Sequence, residues 1–486
     1  MLVAQLAVMA NGVIDTVMAG RLSAADLAAV GLGASIYVSV YIGANGVLLA
    51  LSPIVAQHHG AGRPEQIGAE VRQGFLLAVV LSAAGCALLV WHGPFLALGA
   101  PPPEVAARTS LYLYGVAAGL PAALAFRVFH GLNTAISRPK AVMAVNLAGL
   151  LLKVPLNALF MFGFDAGASG LPSALSLPAM GGAGCAAATA VISWVSAAVA
   201  LAMLRGPRYR AFALAGSWRP EPRRLVALLR LGLPTGASYM IEVTAFAFIS
   251  VFVARLGATV AASQQIAANL VGVAYMFPLA VAHATGVLAA QAIGAGDARR
   301  ARGIALHGSG LALMAGTAIG GLLFSFRHAV AGAYADDPQV IAAAVGLLVL
   351  VAAYVPFDAV QVAMAFALRA WRVATLPMAV YAVSLWGIGL GGGWWLAYGP
   401  QGVGARLGLE GAQPFWAAAA ASVMVAACGL AWLLARVLRR EADQPVGSAA
   451  PRSAPGLSPA AAPLTGGAAA AAAADNAAPP TMKRSR

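Results

Sequence analysis

Three carboxylates lie inside stretches of apolar sequence, where an ionisable side chain is costly. They are Asp15, Glu242 and Asp358; the other thirteen of the sixteen acidic residues fall in connections, at the ends of apolar stretches or in the C-terminal tail. At the centre of a bilayer such a group costs about 2.5–3.5 kcal/mol on insertion scales, so each needs a cavity, a partner or a function. A carboxylate that binds a proton in one step and a cation in another can exchange the two. These acids therefore predict cation or proton binding within a membrane.

Structural ion pairs are the alternative explanation for the same acids. Arg127 and Lys153 are basic residues that also lie within apolar stretches, and either could neutralise a buried carboxylate. Two basic side chains cannot neutralise three carboxylates one-to-one, which favours a functional role for the set.

Polar side chains in other apolar stretches could supply further ligands. Asn146 and Asn157 are eleven residues apart, which is about three helical turns and places them on one face of a helix. Thr189 and Gln265 lie in two later stretches. Hydrogen bonds between helices explain each of these residues as well as ligand binding does.

The composition is that of a polytopic membrane protein. Of the 486 residues, 61% are hydrophobic and 9% are charged, against roughly 25% charged in soluble domains. This excludes soluble and disordered chains, and three cysteines are too few for a disulfide-rich protein. The net charge of +14 arises from short Lys/Arg clusters between apolar stretches. Such clusters indicate orientation in a lipid bilayer and not a nucleic-acid partner.

Motifs typical of soluble enzymes are absent from the sequence. There is no P-loop, and the seven histidines show no metal-ligand spacing. The glycine-rich stretch 389–393 lies within an apolar segment and predicts close helix packing, not phosphate binding. We therefore predict that the protein is not an enzyme and needs no cofactor beyond a coupling ion, Na⁺ or H⁺.

Twelve apolar stretches are long enough to cross a hydrocarbon core of roughly 30 Å as helices, which predicts an all-α integral membrane protein. They cover 2–20, 28–56, 72–92, 106–130, 141–163, 181–204, 228–254, 260–290, 303–326, 339–368, 374–397 and 414–437. With the N-terminus in the cytoplasm, the internal connections hold nineteen Lys/Arg and the external ones five. This excess predicts that both termini are cytoplasmic. The first stretch is barely long enough to span and contains Asn11 and Asp15, which predicts a true start a few residues upstream.

The two halves of the chain resemble each other. A shift of 234 residues superposes Arg21-Leu22 on Arg255-Leu256, and the motif Q-x-x-G-A-G at Gln57 on the same motif at Gln291. Each half has six spans, so both enter the membrane from one side as a parallel repeat. The predicted domains are an N-lobe (1–204), a basic cytoplasmic linker (205–227), a C-lobe (228–438) and a disordered cytoplasmic tail (439–486).

The repeat also relates two of the buried acids. Asp15 corresponds to Ile249, and Glu242 lies seven residues before that position. Seven residues are close to two helical turns, so Asp15 and Glu242 share a face of equivalent helices, ~10 Å apart in height. Asp358 follows Pro356, whose missing N–H can kink the helix and free a carbonyl for an ion or water. The pattern predicts a cation or proton site in each half.

Six groups of motifs occur in order along residues 1–440. They are Ile14-Asp15-Thr16-Val17-Met18-Ala19-Gly20; Gln57 with Gly60-Ala61-Gly62; Val154-Pro155-Leu156-Asn157; Gly181-Gly182-Ala183-Gly184-Cys185; Gly232-Leu233-Pro234 with Glu242-Val243-Thr244; and Phe357-Asp358-Ala359-Val360-Gln361. In these residues the chain resembles the multidrug and toxic compound extrusion (MATE) family, in its NorM-like branch.

The resemblance implies a two-lobed, twelve-helix exporter with a central cavity. Such a protein exchanges Na⁺ or H⁺ for cationic amphipathic drugs by alternating access, as a monomer in the bacterial inner membrane. By the same resemblance, Glu242 and Asp358 form a C-lobe cation site that could bind Na⁺. Asp15, Asn157 and Thr189 form an N-lobe site.

Three further positions match residues associated with drug contact in this branch: Ser35, Phe246 and Gln265. Two other functions remain open at this point. A lipid-linked oligosaccharide flippase of the same superfamily would need more cationic residues in its cavity, where Arg127 and Lys153 are the available ones. An integral-membrane enzyme lacks a clustered nucleophile, base or metal set.

Overall fold

The computed structural model describes residues 2–99, 101–164, 176–399 and 403–442. Within them nearly every residue is helical, and strand-like pairing is limited to one bridge between Phe164 and Leu177. The α-helices are α1 (Leu2–Gly20), α2 (Ala24–Leu48), α3 (Leu51–Gly60), α4 (Pro64–Val90), α5 (Gly93–Gly99), α6 (Pro103–Ala135), α7 (Pro139–Phe162), α8 (Ala183–Leu204), α9 (Pro222–Ala254), α10 (Ala258–Gly294), α11 (Ala298–Ser325), α12 (Arg327–Tyr334), α13 (Pro338–Ala370), α14 (Thr375–Tyr381), α15 (Gly393–Tyr398), α16 (Val403–Arg406) and α17 (Gln413–Ala442). A 3-10 helix, Pro207–Phe212, lies between α8 and α9, and a π-helix, Ala382–Gly392, joins α14 to α15.

Eleven helical segments of the described residues are long and apolar enough to cross a membrane. With α1, which packs against α2 and α7, they account for the twelve predicted spans. One span, Ala24–Gly60, consists of α2 and α3, with a break at Leu49 and Ala50. The prediction of an all-α integral membrane protein is confirmed.

Several helices extend beyond the predicted spans at their polar ends. α4 begins at Pro64 and α9 at Pro222, ahead of the predicted starts at 72 and 228, and α17 continues to Ala442. Hydropathy marks only the part of a helix that lies in hydrocarbon, whereas the helix itself continues into the polar interface. Proline suits both starts because the first residue of a helix needs no N–H donor. Residues of the predicted tail from 443 onward lie outside the described residues.

Two hydrophobic clusters form the larger part of the buried core. One contains mainly residues of the first half and of the 3-10 helix, from Ala19 to Phe212, and the other contains residues of the second half, from Ala245 to Leu438. A smaller cluster lies between α10, α11 and α13. This distribution accords with six spans on either side of the linker, while the numbered domain boundaries remain predictions.

The two halves meet where glycines let their backbones touch. A Cβ on Gly46 of α2 would lie 2.5 Å from the Cα of Gly236 of α9. A Cβ on Gly60 would collide with the backbone of Gln291, and one on Gly294 would collide with the backbone of Gln57. The two Q-x-x-G-A-G motifs therefore pack directly against each other.

The glutamines of these motifs also cross between the halves. Gln57 Nε2 donates to the carbonyl oxygen of Ala370, at the end of α13, over 2.7 Å. Gln291 Nε2 donates to the carbonyl oxygen of Ala135, at the end of α6, over 2.6 Å. Each glutamine thus satisfies a carbonyl that the end of a helix leaves without an intrahelical partner. Residues related by the sequence repeat make equivalent contacts at one end of the spans.

Candidate cation and substrate sites

Asp15 on α1 contacts two polar side chains of α7. Its Oδ1 accepts a hydrogen bond from Asn157 Nδ2 at 2.8 Å and lies 2.9 Å from Lys153 Nζ. Asn157 and Lys153 are four residues apart and therefore lie on one face of α7. Lys153 Nζ also donates to Thr189 Oγ1 of α8 at 2.5 Å. The structure brings together Asp15, Asn157 and Thr189 and adds Lys153 to them.

Lys153 forms a buried ion pair with Asp15. The side chain of Lys153 is 2% exposed and that of Asp15 is 14% exposed. The structural alternative considered for the three acids therefore holds for this one. Removing one member of such a pair leaves the other charge buried without a partner, which is strongly destabilising.

We expect Asp15→Asn to lower the stability of the protein more than the double replacement Asp15→Asn/Lys153→Met does. The single variant leaves a buried ammonium group without its counter-charge, at a cost of about 3–5 kcal/mol. The double variant carries no charge at either position. The apparent Tm of the purified proteins in detergent measures the difference, and Leu151→Ala, at an exposed position of α7, provides a control. Equal Tm values for the single and double variants would contradict the account of the pair.

Asp358 on α13 is buried, at 4% exposure. Its Oδ1 accepts hydrogen bonds from Gln361 Nε2 at 2.9 Å and from Tyr354 OH at 3.2 Å. Both donors lie on α13 itself, one turn on either side. In the described part of the chain no lysine or arginine forms an ion pair with Asp358, so this carboxylate differs from Asp15.

The backbone carbonyl freed by Pro356 faces the neighbouring helix α11. Pro356 lies inside α13 and provides no N–H for the carbonyl of Ala352, four residues earlier. That oxygen instead lies against α11, where a Cβ on Gly320 would approach it to 2.5 Å. α11 therefore packs closely against this side of α13, and binding of an ion or water to the freed carbonyl stays a prediction.

Glu242 on α9 lines a narrow cavity with Tyr239, Tyr275, Arg369 and Tyr381. It is partly exposed, and within the described residues it makes no hydrogen bond and no ion pair. Asp358 and Arg369 are near enough to act on its charge. Asp358 and Arg369 both belong to α13, so residues of α9 and α13 together form the candidate site of the second half.

Arg369 also lines this cavity, although its position in a connection between two predicted spans is typical of a residue that orients the protein in the membrane. It is buried, donates to Tyr239 OH at 3.4 Å, and its guanidinium lies 4.5 Å from the ring centroid of Phe366. Arg369 follows Asp358 by eleven residues, or about three helical turns on one face of α13. That spacing is the signal that could have identified it.

The π-helix positions the backbone next to Glu242. Trp386 Nε1 donates to the carbonyl oxygen of Ile241 at 3.1 Å and to Thr244 Oγ1 at 3.2 Å. π-Helical segments are rare and often occur at functional sites. The glycine-rich stretch 389–393 begins within this segment, and Gly393 packs against Phe415, as expected for close helix packing.

Phe246, predicted to contact substrate, belongs to an aromatic cluster. Its ring centroid is 6.3 Å from those of Tyr354 and Trp416, and the latter two are 5.8 Å apart. Because Tyr354 donates to Asp358, the cluster adjoins the buried acid. Ser35 and Gln265 are exposed, on α2 and α10, and their predicted role in substrate contact remains a prediction.

Arg127, the other basic residue within a span, pairs with no carboxylate in the described part of the chain. Its Nε donates to Asn45 Oδ1 at 2.5 Å. It lines a small cavity between the halves together with Ser52, His130 and His283. The structural alternative therefore accounts for Asp15 and not for Glu242 or Asp358.

Comparison with known proteins places this arrangement in a family. The family model for MatE matches residues 1–159 and 234–395, which contain Asp15, Glu242 and Asp358. The chain belongs to the MatE family. Among its relatives, the "Probable multidrug resistance protein NorM" of Aromatoleum aromaticum is 40% identical over 441 residues, covering 90% of this chain and 92% of that protein. The "Multidrug resistance protein PmpM" of Pseudomonas aeruginosa is 35% identical over 427 residues, covering 85% and 87%.

The fold of this MatE protein is also that of solved MATE transporters. The crystal structure of the Vibrio cholerae MATE transporter VcmN in its bent form matches with a TM-score of 0.76. The match covers 91% of this chain and 95% of that structure at 18% sequence identity. It confirms the twelve-span MATE fold predicted from the sequence.

Proposed function

We propose that this protein is a cation-coupled antiporter that exports cationic amphipathic compounds across the bacterial inner membrane. The coupling ion is Na⁺ or H⁺, moving inward as the compound moves outward. Both termini lie in the cytoplasm, the protein acts as a monomer in the lipid bilayer, and it needs neither a cofactor nor catalysis. The names of the relatives, which are multidrug resistance proteins, support the substrate class.

The observation that carries this proposal is the buried carboxylate of Asp358, which has no basic partner among the described residues. A charge within a membrane needs neutralisation, and a proton or a bound cation provides it. Glu242 lies near enough for the charge of Asp358 to act on it. If the Asp358 carboxylate must carry either a proton or a bound cation in every step of transport, it releases one cation only when it takes up another. Coupled antiport requires such an exchange.

Alternating access requires that the halves separate at one end while they close at the other. Their close contacts lie around Gly46, Gly60, Gly236 and Gly294. With cytoplasmic termini, these positions lie toward the cytoplasmic side. We infer that the described arrangement is closed to the cytoplasm and that import of the coupling ion must part the two Q-x-x-G-A-G motifs.

The flippase alternative is less well supported. Of the two basic residues that kept it open, Lys153 is neutralised by Asp15. That leaves Arg127 within the first half, held by Asn45. In the second half, the buried Arg369 lies in the cavity that Glu242 also lines. A pyrophosphate-linked lipid would require more positive charge than Arg127 and Arg369 offer.

Ethidium efflux from bacterial cells that express the protein tests the proposal. Expressing cells should export ethidium faster than cells with an empty vector, and a protonophore combined with Na⁺-free medium should remove the difference. Efflux that persists without either ion gradient would contradict cation coupling.

We expect deletion of residues 445–486 to leave export nearly unchanged. The truncation removes a segment rich in Ala, Pro, Ser and Gly and leaves the described helices whole. Ethidium efflux and membrane levels of the full-length and truncated proteins provide the comparison. Loss of efflux at a normal membrane level would show that the tail contributes to transport.

A further inference from the structure

The ammonium group of Lys153 lies at the centre of the Asp15 cluster. Its Nζ is 2.9 Å from Asp15 Oδ1, 2.5 Å from Thr189 Oγ1 and 3.3 Å from the carbonyl oxygen of Cys185. An ammonium group has three N–H donors, so these oxygens match its full capacity. With its side chain 2% exposed, the group is shielded from solvent.

The surrounding oxygens are of the types that bind a hard cation such as Na⁺. Asp15 provides a carboxylate, Thr189 a hydroxyl and Cys185 a backbone carbonyl. The side-chain oxygen of Asn157 is buried and has no hydrogen-bond partner among the described residues. A free cation and the ammonium group would need the same oxygens, so each excludes the other.

We infer that Lys153 takes the place of a free cation in the N-terminal half, and that Na⁺ can bind there only when Lys153 is removed. The inference rests on the proposed cation exchange and assigns the exchanged cation to the Glu242 and Asp358 site. In the second half, Arg369 contacts aromatic rings and forms no ion pair with either acid. Lys153 is thus a residue that determines where the coupling ion binds.

Sodium binding to purified protein tests this inference without any need for transport. The starting variant is Glu242→Gln/Asp358→Asn, in which the second-half site is removed and Lys153 is retained. Binding of radioactive Na⁺ and the Tm in NaCl are compared with those in choline chloride of equal ionic strength. The same measurements are made after adding Lys153→Ala, and after adding Lys153→Ala with Asp15→Asn.

We expect no Na⁺-specific binding or Tm shift in the starting variant. Adding Lys153→Ala should create binding of one Na⁺ with a rise in Tm, and adding Asp15→Asn should remove both. Asp15-dependent Na⁺ binding while Lys153 is present would overturn the inference, as would absence of binding in folded Lys153→Ala protein. If that variant does not fold, Lys153→Asn provides an uncharged side chain for the same measurement.

Chemical rescue of the Lys153→Ala variant distinguishes two roles of Lys153: occupation of the site by its ammonium group, and packing of its aliphatic side chain. Propylammonium matches the part of the side chain that Lys153→Ala removes, and it should restore the Tm of that variant, whereas the larger choline should not. A Tm indifferent to propylammonium would overturn the inference. Absence of drug exchange in proteoliposomes would instead contradict the proposed function, whatever the Na⁺ binding.

Discussion

Asp358→Asn should abolish ethidium efflux while the protein remains in the membrane at its normal level. The amide has the same shape as the carboxylate, and its oxygen can still accept the hydrogen bonds from Gln361 and Tyr354. It carries no charge, so it can neither take up a proton nor neutralise a cation. Because the fold keeps its contacts while the coupling site loses its charge, the expected loss is confined to transport and reduces efflux to that of cells without the protein.

Asp336→Asn is the matched control for this variant. It makes the same chemical change at an exposed acid in the connection before α13, and efflux should remain at the wild-type rate. Membrane levels of all three proteins are measured by immunoblot. Unchanged ethidium export by Asp358→Asn would remove Asp358 from the proposed mechanism.

Gly294→Ala should strongly reduce both transport and stability. A Cβ at this position collides with the backbone of Gln57 in the other half, and a backbone atom cannot rotate away as a flexible side chain can. Overpacking of this kind costs about 1–3 kcal/mol. Here it also opposes the closed arrangement of the two motifs, so we expect the halves to be held apart at this end and efflux to be largely lost. Gly60→Ala should act in the same way through Gln291.

Gly272→Ala tests whether the effect of Gly294→Ala depends on the interface between the halves. Both glycines lie on α10, but a Cβ on Gly272 has no atom within 4 Å. Its Tm and ethidium efflux should match or exceed those of the wild type, since alanine favours helix. Equal Tm values and equal ethidium efflux for Gly272→Ala and Gly294→Ala would show that stability and transport do not need the close approach of the halves at Gly294.

The number and order of the spans could be predicted from the sequence because a bilayer imposes both helix length and apolar composition. The break at Leu49 and Ala50 and the early starts at Pro64 and Pro222 could not. Each of them depends on the polar ends of helices or on local packing, and average hydropathy reports neither. The membrane constrains the parts of the chain that it surrounds and leaves the rest to tertiary contacts.

The acids of the candidate sites could be predicted from the sequence, whereas the residues that contact these acids were harder to predict. Burial is costly for any carboxylate in a membrane, so Asp15 and Asp358 could be identified without knowing the fold. The choice of Lys153 as the partner of Asp15 depends on how α1, α7 and α8 pack, which has no local signature in the sequence. Arg369 lies at the end of a span, where a positive charge is typical of membrane orientation, and its proximity to Glu242 depends on contacts between α9 and α13.

The contact between the two Q-x-x-G-A-G motifs could be predicted from the sequence only in part. The repeat itself was evident from Gln57 and Gln291, whereas the carbonyls that they bind, those of Ala370 and Ala135, belong to residues without any distinctive side chain. A repeat identifies equivalent positions. Only the packed structure shows that these two positions meet.

Ion-driven uptake of ethidium into proteoliposomes tests cation-coupled antiport most directly. The protein is reconstituted with its cytoplasmic face outward, DNA in the lumen reports ethidium, and Na⁺ and H⁺ gradients are imposed separately. We predict that ethidium enters the lumen when the lumen is rich in the coupling ion, that dissipating this one gradient stops the uptake, and that Asp358→Asn shows none. Uptake at the same rate with neither gradient present would contradict the account.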